Sequence, residues 1–328
     1  MNHNRVLPAK MKQVQFFKYH YEKGMHWYLS HFPTAAHFLS SGALMTGEAA
    51  PGYLPYPEVA IRTRTMMPGA KILLTIREPL DRAWSSYNYN YFIPGLQHLK
   101  TLQENEDKDE RYLIDKYLFS FEDMVKAELN HLLKCIKPGG DAEEEGLKQS
   151  YWANDAMDVR KRGNLPAMMD IINGCYGTQE RRDAQWKDLK LNNPEGLLDL
   201  PNIHRLEGMI ARGLYAFQAE WWYAAFPRED IHVICSDEMK HETASILEET
   251  SDFLGLPYFD YSSVVSKGMY NVRGHEGYDK VTAWKTETRE KANDEIPLSP
   301  LFRSEIDLFL QEQNERLYLL TGKRCSWQ

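Results

Sequence analysis

The chain has 328 residues, of which 43% are hydrophobic and 26% are charged, as expected for a globular protein with a sizeable core. Its 8 Trp, 19 Tyr and 13 Phe residues argue against a disordered chain. A net charge of −8 argues against nucleic acid or an anionic membrane surface as the main partner, although it leaves room for a local basic site.

The first part of the chain predicts two strands and two helices. A strand is predicted at 14–17 (V-Q-F-F) and a helix at 57–67. The next strand, at 71–76, has the sequence K-I-L-L-T-I, which is short, rich in β-branched residues and apolar on both faces. That pattern is typical of a strand buried in a parallel sheet. A loop and a helix are predicted directly after it, at 77–87, with Pro79 in the first helical turn.

The rest of the chain continues the alternation of strands and helices. A strand is predicted at 231–235 (I-H-V-I-C), followed by a helix at 236–254 that ends before Gly255. Strands that alternate with helices predict an α/β fold with a parallel sheet. No apolar run reaches the length of a transmembrane helix, and the first residues lack the apolar stretch of a signal peptide. Further helices are predicted at 111–136, 202–225 and 298–321.

Arg77 and Ser85 are candidates for an anion site. Arg77 follows the strand at 71–76, and Ser85 lies eight residues later in the predicted helix. Ligands of open α/β sheets bind at the carboxyl ends of strands, where an Arg, a hydroxyl and a helix N-terminus together suit an anion. The residues alone equally allow Arg77 to pair with Glu78 or Asp81 while Ser85 simply packs.

The segment 71–87 closely resembles the 3′-phosphate-binding motif of sulfotransferases that use 3′-phosphoadenosine-5′-phosphosulfate (PAPS). Strand, R-x-P, second Arg and S-x-Y occur here in the order of that motif, whose Arg and Ser hold the 3′-phosphate and match Arg77 and Ser85. The resemblance implies the sulfotransferase fold, in which a P-loop-hydrolase-like central parallel sheet is flanked by helices.

The resemblance extends from about residue 12 to the C-terminus and is most similar to the N-acetylgalactosamine 4-sulfate 6-O-sulfotransferase group. It implies a single sulfotransferase domain over 1–328 with a variable insertion at about 138–200. The further segments that carry it are F-F at 16–17, K-G-M-H-W-Y at 23–28, T-G-E-A-A-P-G-Y-L at 46–54, R-G-L-Y at 212–215 and N-E-R-L-Y at 314–318.

The same resemblance implies the reaction and its partners. PAPS would donate a sulfuryl group to a hydroxyl of a glycan or proteoglycan in the Golgi lumen, with no metal and no nucleic acid. The loop that contains Arg273 and Gly274 stands where such enzymes often contact a second phosphate. Gly274 would allow close backbone approach and Arg273 would supply charge, although an ordinary surface turn explains the same residues.

Two departures from the family pattern affect the expected activity. The family's glycine-rich 5′-phosphosulfate loop, with its catalytic Lys, should precede Phe16, where only a short segment without such a loop stands. We therefore expect the first strand and loop of the fold to be missing and the domain to be N-terminally incomplete. Without that loop, sulfate transfer by this chain should be poor. Contact with a membrane is expected only through an anchor further upstream. The general-base Glu that precedes the Phe-Phe pair in related enzymes is matched by Gln13, and neutral Gln accepts no proton. Glu48 and Glu22 are alternative carboxylates, each of which a structural role explains as well.

Other function classes remain as alternatives. A P-loop kinase or hydrolase is disfavoured because no G-x-x-x-x-G-K-[ST] occurs. A catalytically silent homologue that binds nucleotide or glycan fits the missing loop and Gln13, whereas the abrupt entry into the family pattern fits a piece of a longer active enzyme. The four cysteines form no C-x-x-C pair. If the protein is lumenal, we expect Cys135 to pair with Cys175, because both flank the variable insertion whereas Cys235 lies in a buried strand.

Overall fold

The computed structural model describes residues 3–92, 119–136, 208–265 and 296–327, and the statements below concern these residues. The chain forms two compact units. The first contains Met1–Ile76, Ala225–Glu295 and Cys325–Gln328, and the second contains Arg77–Ala224 and Ile296–Arg324.

Four strands lie in the first unit and form two parallel pairs. Strand β1 (Val6–Pro8) pairs with β2 (Met45–Gly47), so that Leu7 lies opposite Thr46. Strand β3 (Ile72–Ile76) pairs with β4 (Ile231–Cys235) in a register that runs from Ile72 opposite Ile231 to Ile76 opposite Cys235. Helices separate the strands along the chain, so the predicted α/β class is confirmed.

The helices are numbered in chain order. They are α1 (Phe16–Tyr19), α2 (Gly24–Leu29), α3 (Ala35–Ser41), α4 (Pro57–Met66), α5 (Pro79–Tyr87), α6 (Phe121–Ile136), α7 (Tyr215–Ala225), α8 (Ser236–His241), α9 (Thr243–Phe253), α10 (Ser262–Val265) and α11 (Pro300–Thr321). A π-helical turn, Asn88–Phe92, follows α5, and a 3₁₀ turn, Ala211–Gly213, precedes α7. None of the described helices is long and apolar enough to span a bilayer.

Several predicted elements differ from the structure. The predicted strand at 14–17 is wrong, because Gln13 and Gln15 both take φ of 57° and Phe16 begins helix α1. Strand β1 was not predicted at all. The single helix predicted at 236–254 is interrupted at Glu242, where φ of −123° breaks the helix. The Thr243 hydroxyl then bonds to the Met239 carbonyl, which an unbroken helix would offer to the Thr243 amide.

Strand β3 is buried on one face only. Ile72, Leu74 and Ile76 are buried, whereas Leu73 between them is 39% exposed. The apolar run had predicted burial on both faces, so this expectation is wrong for Leu73. The boundaries of β3 and β4 nevertheless agree with the prediction, except that β3 begins at Ile72 rather than at Lys71.

A disulfide closes the first unit. Cys235, the last residue of β4, is bonded to Cys325, and their Cα atoms lie 5.7 Å apart. The expectation that excluded Cys235 because it lies in a buried strand is therefore wrong. Burial does not prevent the pairing, because Cys325 is buried as well. Cys175 and the side chain of Cys135 lie outside the described residues, so their pairing stays a prediction.

The second unit contains a core of aromatic rings and buried charges. On α5, Trp84 and Tyr87 stack at 5.4 Å between ring centroids, and both meet the edge of Phe121. Arg316 of α11 forms a buried ion pair with Glu220 of α7. These contacts join α5 to α6 and α7 to α11 within the unit.

Candidate functional site

The N-terminus of α5 is capped by its own chain. Glu78 is the N-cap, and its carboxylate accepts hydrogen bonds from the amides of Leu80 and Asp81. Pro79, at the first helical position, has no amide hydrogen to satisfy. Burial raises the pKa of Glu78, and these two amides offset part of that rise. Because the first-turn amides are engaged, an anion near α5 would depend on side chains rather than on the helix end.

Arg77 precedes this cap and keeps bonding capacity. Its Nη2 lies 3.7 Å from Asp81 Oδ2, and both side chains are about 40% exposed. An ion pair of that length and exposure contributes little to stability. Arg77 Nε is enclosed and makes no hydrogen bond to any described residue. The pairing of Arg77 with Asp81 that the sequence allowed is therefore present, but it leaves the guanidinium incompletely satisfied.

Ser85 is exposed on α5. Asp81 and Ser85 are four residues apart and so share one face of the helix. Because Arg77 reaches Asp81, its guanidinium lies on the face from which Ser85 projects. The structure thus brings Arg77 and Ser85 to one side of α5, with the Asp81 carboxylate between them in sequence.

The segment that leads into α7 packs against the start of α5. A Cβ placed on Gly213 would lie 2.9 Å from Pro79 Cβ, so only glycine fits there without movement. Arg82 Nη1 donates to the Met209 carbonyl at 2.7 Å. The hydroxyl of Tyr215 bonds to the Arg77 backbone, and burial raises the pKa of Tyr215 to about 12. Three contacts therefore fix the backbone around Arg77.

A buried carboxylate, Glu128 of α6, supports the same segment. Its Oε2 accepts from the Ile210 amide and its Oε1 from the Ala211 amide, each at 3.0 Å. Complete burial raises the pKa of Glu128 to about 7, while the backbone amides and the positive charge of Arg82 act in the opposite direction.

In the first unit, Gln13 lies in a strained turn. Gln13 and Gln15 both have φ of 57°, a left-handed backbone conformation that residues other than Gly, Asn and Asp rarely adopt. Val14 between them is buried. Strain of this kind persists only where the surroundings impose it, and it is common at functional sites.

Glu48 faces this turn. Its Oε1 accepts from the Tyr53 hydroxyl at 2.8 Å, and Tyr53 in turn accepts from the Phe17 amide at 3.3 Å. Burial raises the pKa of Glu48, whereas the hydroxyls of Tyr53 and Tyr28 and the amides of Gln15 and Val14 lower it. Glu48 Oε2 is enclosed without a normal hydrogen bond to a described residue. Gln13 and Glu48, which were separate candidates in the sequence, are thus brought together, because Glu48 bonds to amides of the turn that contains Gln13.

The remaining candidates are less informative. Glu22 is exposed on a 3₁₀ turn, Tyr21–Lys23. Arg273 and Gly274 lie outside the described residues. Within the described parts of the chain, no group of three or more His, Cys, Asp or Glu residues could hold a metal ion.

Sequence reasoning missed Glu128 and Tyr53. Glu128 had a signal, because it continues the buried face of α6 formed by Phe121, Met124 and Val125 at helical spacing. An acidic residue on an apolar face predicts a buried carboxylate with a specific partner. Tyr53 stands with Glu48 in the segment 46–54, but its bond to the Phe17 amide leaves no signal in the sequence because only the fold brings Phe17 to it.

No protein-family model matches the chain. Among curated proteins, the membrane-associated sulfotransferase kil1 of Dictyostelium discoideum is 24% identical over 339 residues, which cover 99% of this chain and 62% of that protein. The bifunctional heparan sulfate N-deacetylase/N-sulfotransferase 4 of Mus musculus is 21% identical over 266 residues, or 80% of this chain and 20% of that protein. These matches support the sulfotransferase family. The chain thus spans less than two thirds of either relative.

One further curated protein and one solved structure also match. The bifunctional heparan sulfate N-deacetylase/N-sulfotransferase 1 of Caenorhabditis elegans is 31% identical over 87 residues, or 26% of this chain and 9% of that protein. Among solved structures, a sulfotransferase from Alicyclobacillus acidocaldarius is 17% identical and has a TM-score of 0.43, with 99% of this chain and 88% of that chain covered.

Proposed function

We propose that this chain is a sulfotransferase that binds PAPS and serves the transfer of its sulfuryl group to a hydroxyl of a glycan. The observation that carries the proposal is the arrangement around α5. Arg77 is held by its backbone, retains an enclosed Nε without a partner among the described residues, and lies on the helix face of Ser85.

Arg77 and Ser85 would bind the 3′-phosphate of the nucleotide. The guanidinium offers charge-assisted hydrogen bonds to phosphate, and the exposed Ser85 hydroxyl adds a neutral one. Since Glu78 already occupies the amides of Leu80 and Asp81, the phosphate would not need the helix end. The phosphate would replace the weak contact that Arg77 makes with Asp81 at 3.7 Å. In the same proposal, Arg273 and Gly274 form a second phosphate contact.

The reaction needs a group that takes the acceptor's proton. The acceptor oxygen bonds to sulfur, the bond between sulfur and the 5′-phosphate oxygen breaks, and the hydroxyl proton leaves to a base. Gln13 cannot accept it. Glu48 is the carboxylate that faces the Gln13 turn, and burial raises its pKa, which strengthens it as a proton acceptor. We therefore assign the base role to Glu48. The presence of Gln13 at the family's base position favours the second candidate, a catalytically silent homologue that binds nucleotide.

The acceptor and the compartment belong to the proposal as well. Two of the relatives named above are heparan sulfate enzymes, which supports a glycan acceptor, while the motifs resemble the N-acetylgalactosamine 4-sulfate 6-O-sulfotransferase group. The Cys235–Cys325 disulfide supports an oxidising compartment. We propose the Golgi lumen on this basis, and no metal is required for the transfer.

Calorimetry with two nucleotides tests the 3′-phosphate site. Adenosine 3′,5′-bisphosphate should bind the wild-type chain more tightly than adenosine 5′-monophosphate, because only the first has the 3′-phosphate. Arg77→Ala should weaken bisphosphate binding by about tenfold or more. Arg324→Ala is the matched control, since Arg324 is exposed and pairs with Glu315. Equal affinity of the wild-type chain for the two nucleotides would overturn the proposal.

A sulfate-transfer assay tests the base. With radiolabelled donor and a desulfated glycan, Glu48→Gln should abolish turnover while bisphosphate affinity stays unchanged. Gln13→Glu should raise turnover if the family's base position is usable here. Undiminished turnover by Glu48→Gln would reject the base role of Glu48, and absence of turnover in the wild-type chain and in Gln13→Glu would favour the silent homologue.

A further inference from the structure

Glu128 is a fully buried carboxylate on the inner face of α6. Phe121, Met124 and Val125 precede it on that face and are themselves buried. A buried carboxylate lowers stability unless hydrogen bonds compensate for its lost hydration. A hydrophobic residue would fill this position at a lower free-energy cost, so we infer that Glu128 has a role other than packing.

The contacts of Glu128 supply that reason. Each of its oxygens accepts from one of two successive backbone amides, those of Ile210 and Ala211, at 3.0 Å. These amides open the 3₁₀ turn Ala211–Gly213, whose N-terminal groups would otherwise be buried without partners. The charged side chain that acts on Glu128 is Arg82 of α5, which also donates to the Met209 carbonyl. Glu128 thus fixes the turn at the point where α5 reaches it.

The Ala211–Gly213 turn also fixes the beginning of α5. Gly213 contacts Pro79 so closely that an added Cβ would lie 2.9 Å from Pro79 Cβ and 3.3 Å from its Cα. Two residues further on, the Tyr215 hydroxyl bonds to the backbone of Arg77. Displacement of the turn would therefore move the residues that carry the Arg77 guanidinium.

We propose that Glu128 is a positioning residue for the 3′-phosphate site, acting through the Ala211–Gly213 turn on Pro79 and Arg77. This inference rests on the proposed function of Arg77 and Ser85. Glu128 itself touches no nucleotide. Its carboxylate holds two amides, the turn they begin holds Pro79, and Arg77 is thereby kept in the orientation in which its guanidinium meets the phosphate.

The test compares two nucleotides on Glu128→Gln. The amide keeps the size of the side chain but presents an NH₂ group to one of the two backbone amides. We expect the preference for adenosine 3′,5′-bisphosphate over adenosine 5′-monophosphate, measured by calorimetry, to fall by about threefold or more. Binding of the monophosphate should stay unchanged, because it lacks the phosphate that Arg77 contacts. In the Arg77→Ala background, Glu128→Gln should cause no further loss of preference.

Glu220→Gln is the matched control. Glu220 is also a buried carboxylate of the second unit, but its partner is Arg316. This variant should be destabilised without a change in the nucleotide preference. If both variants lower the preference equally, general loosening explains the result and the positioning role is overturned.

The outcomes separate this inference from the proposed function. A wild-type chain without any preference for the bisphosphate overturns the proposed function. A wild-type preference that Glu128→Gln leaves intact overturns the positioning role alone. If Glu128→Gln does not fold, Gly213→Ala displaces the same turn from Pro79, and an unchanged preference in that variant overturns the inference.

Discussion

The two compact units are closed by different chemistry. The first unit contains a covalent link between Cys235 and Cys325, whereas the described part of the second unit contains buried charges: the Arg316–Glu220 pair and Glu128 on two amides. A disulfide acts mainly by restricting the unfolded chain and is insensitive to pH near neutrality. Buried charges depend on protonation and are costly when one partner is lost. The first unit should therefore respond to redox conditions, whereas a response to pH is expected of both units, since burial raises the pKa of Glu48 in the first and of Glu128 in the second.

The largest expected effect is the loss of the disulfide. The bond spans a sequence separation of 90 residues, and in the loop-entropy account its removal costs about 4–5 kcal/mol. Cys325→Ser should lower the free energy of unfolding in urea by roughly that amount. Reduction of the wild-type protein should lower it by at least as much, because reduction would also open the predicted Cys135–Cys175 bridge. Equal stability of variant and wild type under oxidising conditions would show that the first unit does not depend on this bond.

One response of the second unit to pH should come from Glu128. Its pKa in the folded state is about 7, above its ordinary value of 4.5, so the folded protein binds this proton more tightly than the unfolded chain. The stability from this group is fully present below pH 4.5 and is lost as pH rises to about 7, a change of about 3 kcal/mol. Glu128→Gln should remove that slope from urea unfolding curves recorded across this range. An unaltered slope would assign the titration to another group.

A smaller effect is expected where the turn meets α5. Gly213→Ala places a methyl group 2.9 Å from Pro79 Cβ, and overpacking of this kind costs about 1–3 kcal/mol. Gly69→Ala is the control, because a Cβ on Gly69 would meet no atom within 4 Å. In thermal unfolding, Gly213→Ala should therefore have a lower midpoint temperature than Gly69→Ala. A Gly213→Ala variant as stable as Gly69→Ala would mean that Pro79 can move aside.

The smallest effect is expected in the Gln13 turn. Tyr53→Phe removes the hydroxyl that donates to Glu48 and accepts from the Phe17 amide, at a cost of about 1 kcal/mol. Loss of this donor should also raise the pKa of Glu48 further, since the Tyr53 hydroxyl lowers it. Carboxyl titration by NMR measures that shift. A fall in the pKa of Glu48 would contradict the assigned hydrogen bond.

Elements with strong local patterns were predictable from the sequence. Strands β3 and β4 and helices α4, α5 and α11 appear close to their predicted positions, because apolar runs and a Pro in the first helical turn are local signals. Strands β1 and β2 have only three residues each, too few for a pattern. The apolar segment at 14–17 has strand propensity, but the turn around Gln13 and Gln15 overrides it.

The candidate site divides in the same way. Arg77 and Ser85 were accessible from a motif, because the residues of a strand, a loop and a helix are contiguous in sequence. Glu128 is separated by 82 residues from Ile210, and Cys235 by 90 from Cys325, so neither contact leaves a local pattern. The four cysteines allow three ways to form two bridges, and sequence alone does not choose among them.

The π-helical turn after α5 makes this part of the chain sensitive to length. An i→i+5 turn contains one residue more than an α-helical turn, so a relative in which α5 simply continued would lack one residue within Asn88–Phe92. Deletion of that residue would rotate Tyr91 by about 100° around the helix axis. The Tyr91 hydroxyl would then lose the hydrogen bond that it accepts from the Phe119 amide at 2.9 Å. A single-residue insertion or deletion, which surface loops usually tolerate, should therefore be more disruptive here than most substitutions.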